Sequence, residues 1–208
     1  MKNHYKTSKG LHLNYALMAE YIEENSKILD LGCGHGYLLK LLKDEKNVKG
    51  NGIEISQENV IVCLQKGLSV IQGDIDDGLK QFPDKSYDYV VLDQTLQTTQ
   101  NPYYVIQEML RVGKKCIISF PNFAYWRVRF SLFFLGRMPK SKVLPFEWYN
   151  TPNIHLLTIK DFFAFADKEN IKIIDKIYTT RAKKRNKLHF TTFANFYAEE
   201  AVFVISKD

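Results

Sequence analysis

The chain has 208 residues, of which 45% are hydrophobic, enough for one sizeable core and most simply a single domain over 1–208. It has no apolar run of membrane-spanning length, its opening MKNHYKTSKGLHLNY lacks an apolar export segment, and Cys33, Cys63 and Cys116 are odd in number without CxxC spacing. A soluble, unsecreted protein with no membrane association, disulfide framework or metal site is expected, and the net charge of +6 calls for a location along the chain.

Residues 11–24 carry apolar side chains at 13, 17, 18, 21 and 22, which predicts a helix closing at Asn25-Ser26. The central stretch follows, KILDLGCGHGYLLKL over 27–41. Ile28 to Leu31 is a short apolar run of the kind buried on both faces of a parallel sheet. Gly32, Gly34 and Gly36 alternate after it, and an amphipathic helix starts at Tyr37 and runs to about Asp44. A strand, a glycine turn and a helix N-terminus leave backbone N–H groups facing outward, where a ligand can sit against bare backbone. Taken alone, the pattern also suits an ordinary glycine-rich turn.

The next elements favour the ligand. Val48–Ile55 reads as a strand ending in Glu54, 22 residues past Gly32, the distance at which a nucleoside-binding βαβ unit places a ribose-binding acid. Ser56 caps a helix through Gln65. Leu68–Gln72 is a third strand closing at Asp74, Tyr87–Leu92 a fourth closing at Asp93-Gln94, and Lys115–Phe120 a fifth closing at Pro121-Asn122. Pro102 opens the intervening helix, which runs to about Arg111. Such alternation predicts a doubly wound α/β sheet, with Asp30, Glu54, Asp74 and Asp93 at the carboxyl ends of four strands, the edge where ligands bind.

Beyond Phe120 the chain is aromatic. Trp126, Phe130, Phe133 and Phe134 form a helical stripe beside Arg127 and Arg129, and residues 144–155 are rich in aromatics and turns. An aromatic lid packed on the core is the first expectation, and a membrane-surface or partner-docking face the second. Thr158 should cap a helix through Lys168, with Asp161 as the third helical residue, before two antiparallel strands at 171–178 and 201–206. Between them Arg181–Lys187 holds much of the charge excess; a solvated hairpin is the expectation there and a nucleic-acid patch the lesser one.

The pattern G-x-G-x-G, with Glu54 and Asp74 at successive strand ends, resembles the class I S-adenosylmethionine-dependent methyltransferases rather than the dinucleotide folds. More specific phrases narrow the likeness: ILDLGCG (28–34), GIEI (52–55), VIQGD (70–74), DQTLQ (93–97), SFPNF (119–123) and WYNTPNIH (148–155). Together they resemble the MetW family of methionine-biosynthesis proteins from about Lys27 to Phe165. The resemblance implies a Rossmann-like fold with a mostly parallel seven-stranded sheet. It divides into an N-terminal helix (11–26), a nucleoside-binding core (27–120), an aromatic lid or partner segment (121–157) and a C-terminal helix with strands (158–208).

It also implies S-adenosylmethionine, or S-adenosylhomocysteine, as cofactor. The first-strand loop would hold its methionine end, the Glu54 position its ribose and the Asp74 position its adenine. The candidate binding residues are Asp30, Gly32, Cys33, Gly34, Gly36, Tyr37, Glu54, Ile55, Asp74, Ile75, Asp93 and Gln94. A cytoplasmic bacterial location and a homoserine O-acetyltransferase partner, with which O-acetylhomoserine is made, are implied as well. His35, Ala124 and Asn150 depart from the family's usual acidic residue, Gly and Asp.

Catalytic residues are not legible. The motif [DN]-P-P-[YFW] is missing after the fourth strand, which argues against amino-nucleobase methylation, and Pro-Cys after the fifth, which argues against a cysteine nucleophile attacking a pyrimidine. Ser119 lacks the G-x-S-x-G context of an acyltransferase nucleophile, so acyl transfer would belong to the partner. Glu147, Tyr149 and His155 are candidate bases near an acceptor. Three readings follow: a ligand-binding accessory subunit of the acetyltransferase, a methyltransferase of a small acceptor, and a weaker one, an RNA methyltransferase using Arg181–Lys187.

Overall fold

The computed structural model describes residues 11–141, 144–180 and 191–207. Seven strands form one sheet in the order β3-β2-β1-β4-β5-β7-β6. They are β1 (Lys27–Leu31), β2 (Lys49–Glu54), β3 (Ser69–Gln72), β4 (Tyr87–Asp93), β5 (Gly113–Pro121), β6 (Lys172–Thr179) and β7 (Glu200–Ser206). β7 runs antiparallel to both its neighbours, β5 and β6, while β1 to β5 pair in parallel. This is the mostly parallel, doubly wound sheet that the alternation of apolar runs and helical segments predicts.

Two helical layers cover the sheet. On one face lie α1 (Leu11–Tyr21), α2 (Tyr37–Lys46) and α3 (Gln57–Gln65), which bury Leu17, Met18, Leu39 and Cys63 against Ile28, Val91, Ile117 and Val202. On the other lie α4 (Pro102–Val112), α6 (Ile159–Lys168) and α7 (Thr191–Tyr197), which bury Ile106, Phe162 and Ala194 against Leu29, Val90, Ile118 and Phe203. Successive strand residues therefore feed opposite cores, as the pleat requires. Each large side chain so buried contributes about 1.5–3 kcal/mol.

Local signals set the boundaries. Ser56 caps α3 by accepting the Asn59 N–H, Asn101 accepts that of Tyr104 ahead of Pro102, and Thr158 and Asp161 form a reciprocal capping box. α1 stops at Tyr21 rather than Glu24, and the chain turns through Asn25, whose φ of 59° is left-handed. The sequence pattern does not anticipate α7, which buries Ala194, with Ala198 just past its end, in the core that holds Phe203 of β7. The run Arg181–Lys187 lies outside the described residues.

The aromatic segment corrects the packed-lid expectation. After Pro121 a short helix, α5 (Trp126–Phe130), passes into a single π turn over Ser131–Leu135 that Gly136 ends in a left-handed conformation. Of this stretch Val128 is buried, whereas Phe133 is 82% exposed and Phe130, Leu132, Phe134 and Leu135 are exposed with it. The apolar residues run consecutively from Leu132 to Leu135 without a polar face opposite, so no single helical stripe can turn them all inward. Both faces of the sheet already have their helices.

Candidate functional site

The glycine turn sits at the carboxyl end of β1, between β2 and β4. Gly32 has φ 68°, and a Cβ there would stand 2.9 Å from the Thr95 side chain, so the position requires glycine both for its backbone and for its neighbour. Gly34 is tied on both sides of its peptide: its N–H donates to Glu54 Oε2 at 2.7 Å, and the Cys63 thiol donates to its carbonyl at 3.2 Å. Lys66 Nζ donates to the carbonyl of His35 at 2.7 Å. Beyond the Gly34 Cα is open space, with no heavy atom within 4 Å of the place a Cβ would occupy. A ligand can approach bare backbone there.

Glu54 ends β2 almost fully buried. Its Oε1 accepts the Ser56 N–H at 2.9 Å and the Asn59 amide at 3.3 Å, so one carboxylate binds the glycine turn to the start of α3. A carboxylate offers about four acceptor positions, and three are used, which leaves one for a ligand hydroxyl. Asp74 closes β3 and accepts the Asp76 N–H at 2.9 Å. Asp76 in turn accepts the N–H groups of Gln100 and Asn101, each at 2.9 Å, which pins the loop before α4 against the end of β3.

Between these walls lies a cleft of about 330 Å³, lined by Gly32, Ile53, Glu54, Ile55, Gly73, Asp74, Ile75, Asp76, Thr95, Thr98, Thr99 and Gln100. That volume is within the range of small-molecule sites. Five of the expected residues meet there: Gly32, Glu54, Ile55, Asp74 and Ile75. Asp76 and the threonine-rich turn after β4 escape the sequence reading, although the polar run TLQTTQ directly past a strand end is a usable signal.

The other expected residues stand apart from the lining. Cys33 is buried, its Sγ filling the space beside Gly52, and burial pushes its thiol far up, which suits a packed residue and not a nucleophile. Gly36 faces Leu68 and Cys63, where a Cβ would come within 2.4 Å of the Leu68 side chain. Tyr37 is exposed at the start of α2, with Lys66 Nζ 4.0 Å from its ring centroid.

Asp30, Asp93 and Gln94 lie at the ends of β1 and β4. Burial, and then the charges of Asp93 and Glu54, push the Asp30 carboxyl well above the usual range. The Asp93 carboxylate accepts the Ser119 hydroxyl; burial outweighs that bond and raises its pKa to about 6, with Glu200 adding to the rise. Tyr15 of α1 feels both acids, and burial first, then Asp93 and Asp30, raise its phenol.

Gln94 takes a left-handed φ of 52°, held by its N–H donating to Ser119 Oγ at 3.0 Å. Its carbonyl accepts the Gln97 amide at 2.7 Å, and the Gln97 carbonyl accepts the N–H groups of Ile154 and His155. The aromatic segment is thereby anchored to the turn after β4. Gln94 Nε2, Gln97 Oε1 and His155 Nε2 are buried there without a protein partner. Among the described residues no group of three His, Cys, Asp or Glu side chains could hold a metal ion, and no helix is long and apolar enough to cross a membrane.

Known proteins resemble this chain in sequence and in fold. A family model described as "Methionine biosynthesis protein MetW" matches residues 12–205. A bifunctional methionine biosynthesis protein MetXA/MetW of Rhodopirellula baltica is 38% identical over 177 residues, covering 81% of this chain and 28% of that protein. The chain thus spans under a third of that relative's length. An uncharacterized protein of Methanocaldococcus jannaschii is 27% identical over 183 residues, 86% of this chain and 80% of its own.

Among solved structures, a SAM-dependent methyltransferase from Archaeoglobus fulgidus superposes with a TM-score of 0.67 at 15% identity, over 94% of each chain. The [4+2]-cyclase SpnF superposes with a TM-score of 0.67 at 16% identity, over 99% of this chain and 85% of its own. The fold is that of the class I methyltransferases, and one such scaffold carries a cyclase, so fold alone does not assign methyl transfer. By the family match over nearly its whole length, the chain belongs to the MetW family of methionine-biosynthesis proteins.

Proposed function

We propose that this protein binds S-adenosylmethionine, or S-adenosylhomocysteine, and acts as an accessory subunit of homoserine O-acetyltransferase in making O-acetylhomoserine. The observation that carries the ligand is the coupling of Gly34 to Glu54 at 2.7 Å beside the cleft. The carboxylate that would accept a ribose hydroxyl also sets the loop that would cradle the methionine end, so both halves of the ligand meet one preorganised unit. Asp74 and Ile75 would flank the adenine, and the open backbone at Gly34 would admit the rest.

The partner rests on the Rhodopirellula relative, in which MetXA and MetW are named together in one chain. The exposed side chains of Phe133, Phe134, Leu135, Trp148 and Tyr149 give the contact a place, because apolar groups concentrated in one segment mark an interaction surface. The test is to mix the purified protein with homoserine O-acetyltransferase and measure the acetylation rate with and without S-adenosylmethionine. A complex whose rate responds to the ligand supports the reading; no association and no change in rate at saturating ligand overturns it.

A methyltransferase of a small acceptor is the second reading, favoured by the buried unpartnered atoms Gln94 Nε2, Gln97 Oε1 and His155 Nε2 past β4. Methyl transfer from a sulfonium needs chiefly an acceptor held in line, so few acid–base groups are required. Turnover of labelled S-adenosylmethionine in cell extract, abolished in Glu54→Ala, would favour it over the first reading.

A further inference from the structure

One arginine joins α7 to the aromatic segment. Phe193 and Tyr197 are exposed four residues apart on α7, with their ring centres 6.4 Å from each other. Tyr197 meets the half-buried Phe196 edge to face at 5.0 Å. The Arg129 guanidinium of α5 lies 5.6 Å from the centre of the Phe196 ring, and its Nε donates to the Ala124 carbonyl at 2.6 Å. Next to Arg129, Phe130 stacks on Phe134 at 5.3 Å, and Phe134 meets Phe133 at 4.9 Å. Two elements far apart in the chain thus present one run of aromatic contacts.

The charges along this run have one sign. Residues 123–141 hold Arg127, Arg129, Arg137 and Lys140 and no acid. Lys140 already pairs with Glu147 at 2.5 Å. The three arginines are exposed and make no ion pair among the described residues. Gly136, with φ of 59°, reverses the chain after the π turn, and the Ser131 hydroxyl donates to the Arg137 carbonyl at 3.1 Å. Arg137 is thereby brought back beside the start of the turn, so both ends of the apolar turn carry an arginine.

Exposed aromatics interleaved with arginine have the composition of an interface core, in which those residues are enriched. A guanidinium presents a planar fork that a carboxylate matches with two parallel bonds. Whatever covers the rings also takes water from the arginines beside them, and a cation so covered is costly unless an acid meets it. The complementary face therefore needs apolar pockets and carboxylates together.

We propose that α7 joins α5 and its π turn in one docking surface, and that the acetyltransferase face it takes is apolar and bordered by carboxylates. This rests on the partner reading above and adds to it Phe193, Tyr197 and the three arginines. Bound, the rings of Phe133 and Tyr197 enter apolar pockets, while Arg127, Arg129 and Arg137 meet the partner's acids. Charge of opposite sign across an interface speeds encounter, so association slows as salt screens it.

The test is the association of the full chain with homoserine O-acetyltransferase, its rate measured by stopped-flow fluorescence and its affinity by calorimetry. Between about 0.05 M and 0.5 M salt the association rate is expected to fall by about tenfold or more. Phe193→Ser and Tyr197→Ser should each weaken binding by about tenfold, as for aromatic anchors. The double charge reversal Arg127→Glu with Arg137→Glu should weaken it by at least as much and flatten the salt dependence. All four positions are exposed, and melting curves with S-adenosylhomocysteine titration serve as the fold control. A complex that forms as in the wild type with every one of these variants, or at a rate indifferent to salt, overturns this proposal and leaves the partner reading standing. No complex at any salt concentration overturns the partner reading, and this proposal with it. Vesicles of anionic phospholipid and sedimentation of the chain alone test the other occupants. Vesicle binding or self-association that Phe193→Ser abolishes, with acetyltransferase binding unchanged by it, gives the surface to lipid or to a second copy and overturns the proposal.

Discussion

Glu54 holds the backbone N–H of Gly34 at 2.7 Å with one oxygen and that of Ser56 at 2.9 Å with the other. One side chain at the end of β2 thereby fixes the turn after β1 and the start of α3. The acid that the sequence marks as a ligand contact is also the strut of the site, and the two roles separate experimentally.

Replacing Glu54 by Gln keeps the side chain's size but sets an amide NH₂ against a backbone N–H. Stability in urea unfolding should fall by about 1–3 kcal/mol, the cost of an unsatisfied buried donor. Affinity for S-adenosylhomocysteine should fall by about tenfold or more, since a charged hydrogen bond is lost with the loop's geometry. Stability lost with affinity intact would confine Glu54 to the structural role.

Gly32 and Gly67 share nearly the same backbone, with φ of 68° and 69°, but only Gly32 has a neighbour where a Cβ would go. Gly67→Ala should therefore cost the conformational strain alone, about 1–2 kcal/mol. Gly32→Ala should cost more, because Thr95 must also move from 2.9 Å. Paired chemical denaturation measures the difference; equal losses would remove the Thr95 contact from the account.

Asp93 gives a pH signature. Its carboxyl is raised in the folded protein from 3.8 to about 6, so the folded state holds this proton more tightly than the unfolded chain. The ionised form destabilises the fold: the penalty is absent below pH 3.8, grows as pH rises through about 6, and stays constant above it. Asp93→Asn should accordingly raise stability at pH 7.5 by up to about 3 kcal/mol, an upper bound given the side chain's partial exposure, and change it little at about pH 3.5. Asp30, raised mainly by burial, adds to the same trend in the wild type. Denaturant midpoints across pH check the sign.

The aromatic segment makes a prediction that separates folding from association. Phe133 and Trp148 are 82% and 74% exposed, so Phe133→Ser and Trp148→Ser should leave stability within about 0.5 kcal/mol of the wild type. Binding to homoserine O-acetyltransferase should weaken by about tenfold or more in each, as for an aromatic anchor at an interface. Size-exclusion chromatography and calorimetry with the partner give both readouts.

Much of this architecture is legible in the residues. The apolar runs at 28–31, 87–92 and 115–120 announce buried parallel strands, and Ser56, Pro102 and Thr158 mark helix starts because capping chemistry is local. The strand-end acids are legible for the same reason: an acid directly after an apolar run sits at the sheet's edge. Asp76 is not, because its role, gathering the Gln100 and Asn101 N–H groups, depends on a contact across 24 and 25 positions. Tyr15 escapes notice because it nears Asp93 and Asp30 from α1, whose place over the strand ends no local pattern encodes. The aromatic stripe misleads because helical spacing tells which residues share a face, not whether that face is covered.

Titration of the pure protein with S-adenosylmethionine tests the central claim most directly. One site per chain, lost or weakened by about tenfold in Glu54→Gln, is the expected result. No heat of binding from the folded protein with either S-adenosylmethionine or S-adenosylhomocysteine would contradict it, and the Glu54–Gly34 unit would then be a structural relic of the fold.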